Sequence, residues 1–168
     1  STLLSRLIEE SFDVLALKEP PLLHDLKVLL MKDENHELIN IIFSIHNRTY
    51  SKKQKVLLKP SDYAFDIVSE SEKRKIPSIY LYSPLKEYIA SCIKGERVNW
   101  INNRFIAAEP EKITNFLGPS SSNQDHSKPI IQATLYWCYF AKRFQQVSSK
   151  TSNLLAINSS TLLANPSI

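Results

Sequence analysis

Apolar residues recur at Leu4, Leu7, Ile8, Phe12 and Leu15, with Arg6, Glu9, Glu10 and Asp13 off that line. The spacing predicts an amphipathic helix over residues 3–17. Pro20 and Pro21 end it, since proline lacks an amide donor and disfavours helix in the residue before it. The rhythm then changes to alternation. Leu26, Val28 and Leu30 alternate in one run and Ile39, Ile41, Phe43 and Ile45 in the next. This predicts two strands joined by the polar hairpin loop Lys32-Asp33-Glu34-Asn35-His36. Leu38 and Ile42, on the other face of the second run, mark it as a central strand. A third strand is predicted at 54–58, and a fourth at Ile79-Tyr80-Leu81-Tyr82 after the charged loop 70–75.

Beyond residue 83 the period is helical. Ser83 suits an N-cap, Pro84 the first helical position and Gly95 a left-handed exit, with Leu85, Tyr88, Ile89, Cys92 and Ile93 as the apolar stripe between them. A shorter helix over 110–117 is stopped by Gly118-Pro119, and 120–127 reads as a polar loop. Pro129 opens a long helix reaching about Val147. Its first half, with Ile130, Ile131, Leu135, Tyr136, Trp137, Cys138, Phe140 and Ala141, is apolar on every face, the mark of an enclosed helix. The order predicts one α+β domain over 1–147: an N-terminal helix, a three- to four-stranded antiparallel sheet, and helices packed on one face of it. Residues 148–168 form a Ser/Thr/Asn-rich tail, either partner-binding or disordered. On the partner-binding reading its removal leaves the melting temperature unchanged.

Composition removes several function classes. Of 168 residues 43% are hydrophobic and 23% charged, enough for a core without staples, but only Gly95 and Gly118 are glycines. Glycine lets a backbone approach an anion closely, and neither phosphate-loop pattern nor the G-x-S-x-G elbow can be written in this chain. Cys92 and Cys138 make no disulfide framework, which implies a reducing compartment, nucleus or cytoplasm. No apolar run reaches the ~18 residues of a membrane span, so no membrane partner is expected. His24, His36, His46 and His126 share no ligand spacing with one another or with a cysteine pair. No metal or other cofactor is implied.

Two basic segments, Lys52, Lys53, Lys55 and Lys59, then Lys73, Arg74 and Lys75, are the candidate nucleic-acid patch, with Tyr50, Tyr63 and Tyr80 near them. The net charge is only +4 and Glu70 and Glu72 adjoin the second segment, so a solvated strand edge is the preferred reading. Glu9-Glu10 and Glu70 with Glu72 offer no pocketed acid–base pair.

Pro60-Ser61-Asp62-Tyr63-Ala64-Phe65 is similar to the P-x-D-Y-P-F segment of ubiquitin-conjugating enzymes. Ile79-Tyr80 stands where they carry the start of their I-Y-H-P-N motif, and Cys92 and Trp100 follow at family-like intervals. Over residues 3–100 the chain thus resembles that superfamily and its smaller relative, the RWD domain. The His-Pro-Asn is missing, the stretch reading Tyr80-Leu81-Tyr82-Ser83-Pro84-Leu85, and with it the asparagine that stabilises the oxyanion in that family. The resemblance implies the antiparallel α+β fold. It also implies a non-catalytic adaptor or scaffold subunit, partnered by other proteins, in a larger intracellular complex. Tyr136, Trp137, Phe140 and Phe144 of the last helix and Leu154, Leu155, Leu162 and Leu163 of the tail are its candidate contacts. Two alternatives stand beside it: ubiquitin-like transfer through Cys92, and nucleic-acid binding through the lysine segments. Cys92 lies on the apolar stripe of its helix and reads as core rather than as a nucleophile.

Overall fold

A computed structural model describes residues 2–20, 22–23, 36–49, 51, 53–59, 66–150 and 152–164. The chain divides into two compact units, Ser1–Lys73 and Arg74–Ile168.

In the first unit, helix α1 (Thr2–Ser11) gives way to strand β1 (Val14–Lys18), so the predicted 3–17 helix ends early. The run Val14-Leu15-Ala16-Leu17 is held extended by strand β2 (Lys55–Lys59), which pairs with it in parallel from Val14↔Lys55 to Lys18↔Lys59. Helix α2 (His36–His46) lies between them in the chain, as a parallel pair requires a crossover rather than a hairpin. This overturns the strand predicted at 39–45. Ile39, Ile42 and His46 are buried and Phe43 is half-buried, spaced as one helical face. Ile41 and Ile45, which strand alternation would have buried, are 49% and 48% exposed. The strand predicted at Leu26, Val28 and Leu30 lies outside the described residues. Leu23, Ile39, Ile42 and Ile67 form the core, Ile67 coming from helix α3 (Asp66–Lys73). Glu9 ties α1 to β1, accepting from the Ala16 amide at 3.3 Å and from Lys18 Nζ at 3.0 Å. The Lys18 hydrogen bond draws the Glu9 carboxyl below its ordinary range.

The second unit runs β3 (Ser78–Tyr82), α4 (Leu85–Cys92), α5 (Arg97–Ala107), α6 (Pro110–Leu117), α7 (Pro119–Ser122), α8 (Pro129–Ser148), β4 (Leu154–Asn158) and α9 (Ser159–Ala164). Long α8 is enclosed by α4, α5 and α6, as its all-round apolarity demands. Cys92, Ile101, Phe105, Ile113, Ala133, Leu135, Tyr136 and Tyr139 are the buried centre of that packing. Helix α5 falls where no element is predicted. Gly95 and Gly118 take positive φ of 58° and 110° past the ends of α4 and α6, the exits their sequence positions predict. Ser83 makes no cap bond to α4; its hydroxyl lies 2.9 Å from the Ser159 hydroxyl instead.

Strands β3 and β4 pair in parallel, and both described sheets have two strands. The chain is mixed helix and strand, but among the described residues the sheets are parallel and two-stranded, not the antiparallel three- to four-stranded sheet expected. The physical reason is connectivity: α4 to α8 separate β3 from β4, and α2 lies between β1 and β2, where a hairpin needs only a tight turn. Nor is the tail an appendage: residues 154–164 supply β4 and α9, and Leu162 is buried. A chain without it is therefore expected to lose stability rather than keep its melting temperature.

Candidate functional site

Cys92 sits in the last turn of α4 and is 1% exposed, packed in the core that holds Ile101 and Phe105. A thiol acting as nucleophile needs exposure and a depressed pKa. Cys138 on α8 is half-buried, and burial pushes its thiol above the ordinary range. His46 is buried, its Nδ1 2.8 Å from the Ile42 carbonyl one turn back. His126 sets its ring edge-on to Phe105 at 5.7 Å, with Nε2 3.1 Å from the Ser121 carbonyl. His24 and the side chain of His36 lie outside the described residues. Among the described residues no three His, Cys, Asp or Glu side chains are grouped to hold a metal ion, and no helix is long and apolar enough to cross a membrane.

The two lysine segments fall differently. Lys53 and Lys55 are exposed, Lys59 at the end of β2 is ion-paired with Glu19, and Lys52 lies outside the described residues. Lys73 pairs with buried Glu70 within α3, and the division between the units follows directly, before Arg74 and Lys75. Of the tyrosines near these segments in sequence, Tyr50 and Tyr63 lie outside the described residues, and Tyr80 is stacked on Phe144 of α8.

The α8 aromatics turn inward by degrees. Tyr136 is buried, and Phe140 packs edge-on to it at 4.7 Å. Trp137 is half-buried and donates its indole N–H to the Ser83 carbonyl at 2.8 Å. Phe144 stacks on Tyr80 at 4.5 Å, fixing the β3–β4 ribbon to the helix. In a parallel pair, partners in register share a face. One face therefore carries Tyr80 with Ala156 and Tyr82 with Asn158; the other carries Ile79 with Leu155 and Leu81 with Ile157. On that second, wholly aliphatic face Ile79 is 46% and Leu155 57% exposed, and Leu163 of the following helix is 66% exposed. Leu154 is half-buried and Leu162 buried. The signal for this surface was the alternation inside Leu154–Asn158.

At the carboxyl ends of β3 and β4, where open parallel sheets often place ligands, the polar groups are turned on one another. Ser83 meets Ser159, and the Ser160 hydroxyl donates to Glu87 at 2.6 Å. This is a latch that holds α9 on the unit.

Burial pushes the Tyr80 phenol up to about 12. The unfolded chain ionises this group near pH 10, so stability from keeping it neutral is complete below pH 10 and is lost as pH rises from about 10 to 12. Tyr80→Phe keeps the ring on Phe144 and removes that loss. Melts of the two proteins at pH 9 and pH 11.5 should show a larger fall for the unaltered chain; equal falls would refute the assignment.

No family model, no curated protein and no solved structure matches the chain.

Proposed function

We propose that the chain is a protein-binding module, a non-catalytic adaptor or scaffold subunit of a larger assembly. The observation that supports this is the aliphatic face of the β3–β4 ribbon. Parallel strands are normally covered on both faces, and in this pair Tyr80 on one face stacks on Phe144 of α8 while Ile79 and Leu155 on the other are exposed. Aliphatic residues presented on a rigid strand pair, with Leu163 exposed on the next helix, suit an apolar partner surface. The burial of Cys92 supports the same reading over thioester transfer.

The test is affinity purification of the full chain and of Leu155→Asn/Leu163→Asn. Both side chains are exposed, so the double variant should melt within about 1 kcal/mol of the parent. The reading expects a protein that co-purifies stoichiometrically with the parent to be lost from the variant. Retention of the same partners by the variant, or a reducible thioester formed on Cys92, would count against it.

A further inference from the structure

Charge is divided unevenly between the two units. The first seventy-three residues carry ten lysines and arginines against twelve aspartates and glutamates, whereas Arg74 to Ile168 carry eleven against five. Within the second unit the asymmetry sharpens, since no aspartate or glutamate occurs from Ser127 to Ile168, the stretch containing α8, β4 and α9. The helix dipole does not account for this. It favours cations near the end of α8, where Lys150 follows, but equally favours acids in its first turn, and that turn has none.

The cations of α8 are also held in place. Lys142 Nζ lies 5.0 Å from the centre of the Phe116 ring and donates to the Phe116 carbonyl at 2.8 Å. Arg143 lies over Tyr139 at 5.5 Å. Phe116 and Tyr139 meet edge to face at 5.2 Å, so the two rings form one support beneath two neighbouring cations. Lys112 is exposed one helical turn before Phe116, on the same side of α6. A cation fixed over a ring has already lost side-chain freedom and gives up less on binding an anion.

We propose that the supported cations Lys142 and Arg143, with exposed Lys112 on α6 and Lys150 just past the end of α8, dock an acidic segment of a protein partner. The proposal rests on the protein-binding reading and supplies the chemistry of one partner surface. A peptide carboxylate run fits better than nucleic acid. Sequence-tolerant binding of single strands uses aromatic faces on which bases stack, and here both rings are engaged with each other and covered by cations.

The experiment uses the full chain with a labelled oligoglutamate peptide, read by fluorescence anisotropy at low and physiological salt. Lys112→Gln/Lys142→Gln/Lys150→Gln is compared with Lys75→Gln/Lys86→Gln/Lys94→Gln, which removes the same charge from exposed sites elsewhere in the unit. The expected result is salt-sensitive binding, weakened about tenfold by the first triple and less than about threefold by the second. Thermal melts confirm that both triples fold; if the first does not, Lys112→Gln/Lys150→Gln, which leaves Lys142 on its ring, takes its place. Equal weakening by both triples means diffuse charge and overturns the proposal. So does no binding at low salt, or tighter binding to an oligonucleotide or to phosphatidylserine vesicles than to the peptide. Leu155→Asn/Leu163→Asn should bind the peptide like the parent, so failure here and failure of the aliphatic face are read separately.

Discussion

A chain ending at Asn153 is expected to unfold at least about 10 °C below the full chain in the transition of its second unit. Truncation removes β4 and with it the whole pairing of β3 from Ser78 to Tyr82. It also removes buried Leu162, a side chain whose deletion from a packed site typically costs about 2–5 kcal/mol. The Ser83–Ser159 and Ser160–Glu87 hydrogen bonds go as well. For a unit of this size each kcal/mol lowers the melting temperature by about 4–8 °C, so a loss of 3 kcal/mol already exceeds the stated fall. Scanning calorimetry measures it directly. An unaltered transition would mean that β4 and α9 contribute nothing to the packed unit.

Phe105→Ala should be the most damaging single substitution in the second unit, at about 3–5 kcal/mol. Phe105 is 1% exposed on α5, packed within the core that also holds Cys92, Ile101 and Ile113, with the His126 ring steeply inclined to its own. Truncation leaves a cavity the size of a benzene ring that neighbours drawn from four helices cannot collapse to fill. The adjacent Ile106 is 59% exposed, and Ile106→Ala should stay within about 0.5 kcal/mol. Urea unfolding of the two variants compares them. A similar cost for both would show that α5 does not face the core as described.

The helical half of the molecule was legible because its punctuation is strong. Pro110 and Gly118 bound α6, Pro129 opens α8, and Gly95 lies just past α4. Helix α5 carried no such marks: Glu96 makes no side-chain cap bond, and Asn99, Asn102 and Asn103 are weak helix formers, so only the spacing of Ile101 and Phe105 betrayed it. The α2 segment was ambiguous in a different way. Ile39, Ile41, Phe43 and Ile45 alternate, but Ile39, Ile42, Phe43 and His46 fit a helical face equally well, and packing against Ile67 chose between them. A polar-looking histidine completing the second set made the helical count easy to miss. The parallel pairing was beyond reach of local pattern altogether, since it joins strands far apart in sequence. For the candidate surface, Leu155 and Leu163 were visible as apolar residues in a polar stretch. Their exposure, the burial of Tyr136 among the helices and the burial of Leu162 depended on tertiary packing that the local pattern does not contain.

The parallel β3–β4 pair also sets an order of events in folding. Every residue from Ser83 to Asn153 lies between the two strands, and α4, α5, α6 and α8 make their mutual contacts within that interval. Helices form in about a microsecond, whereas joining the ends of so long a stretch of free chain carries an entropic cost that grows with the logarithm of its length. Collapse of the helices shortens that effective distance before the strands meet. The ribbon is therefore expected to close last, its aliphatic face taking a fixed shape only after the helices have packed.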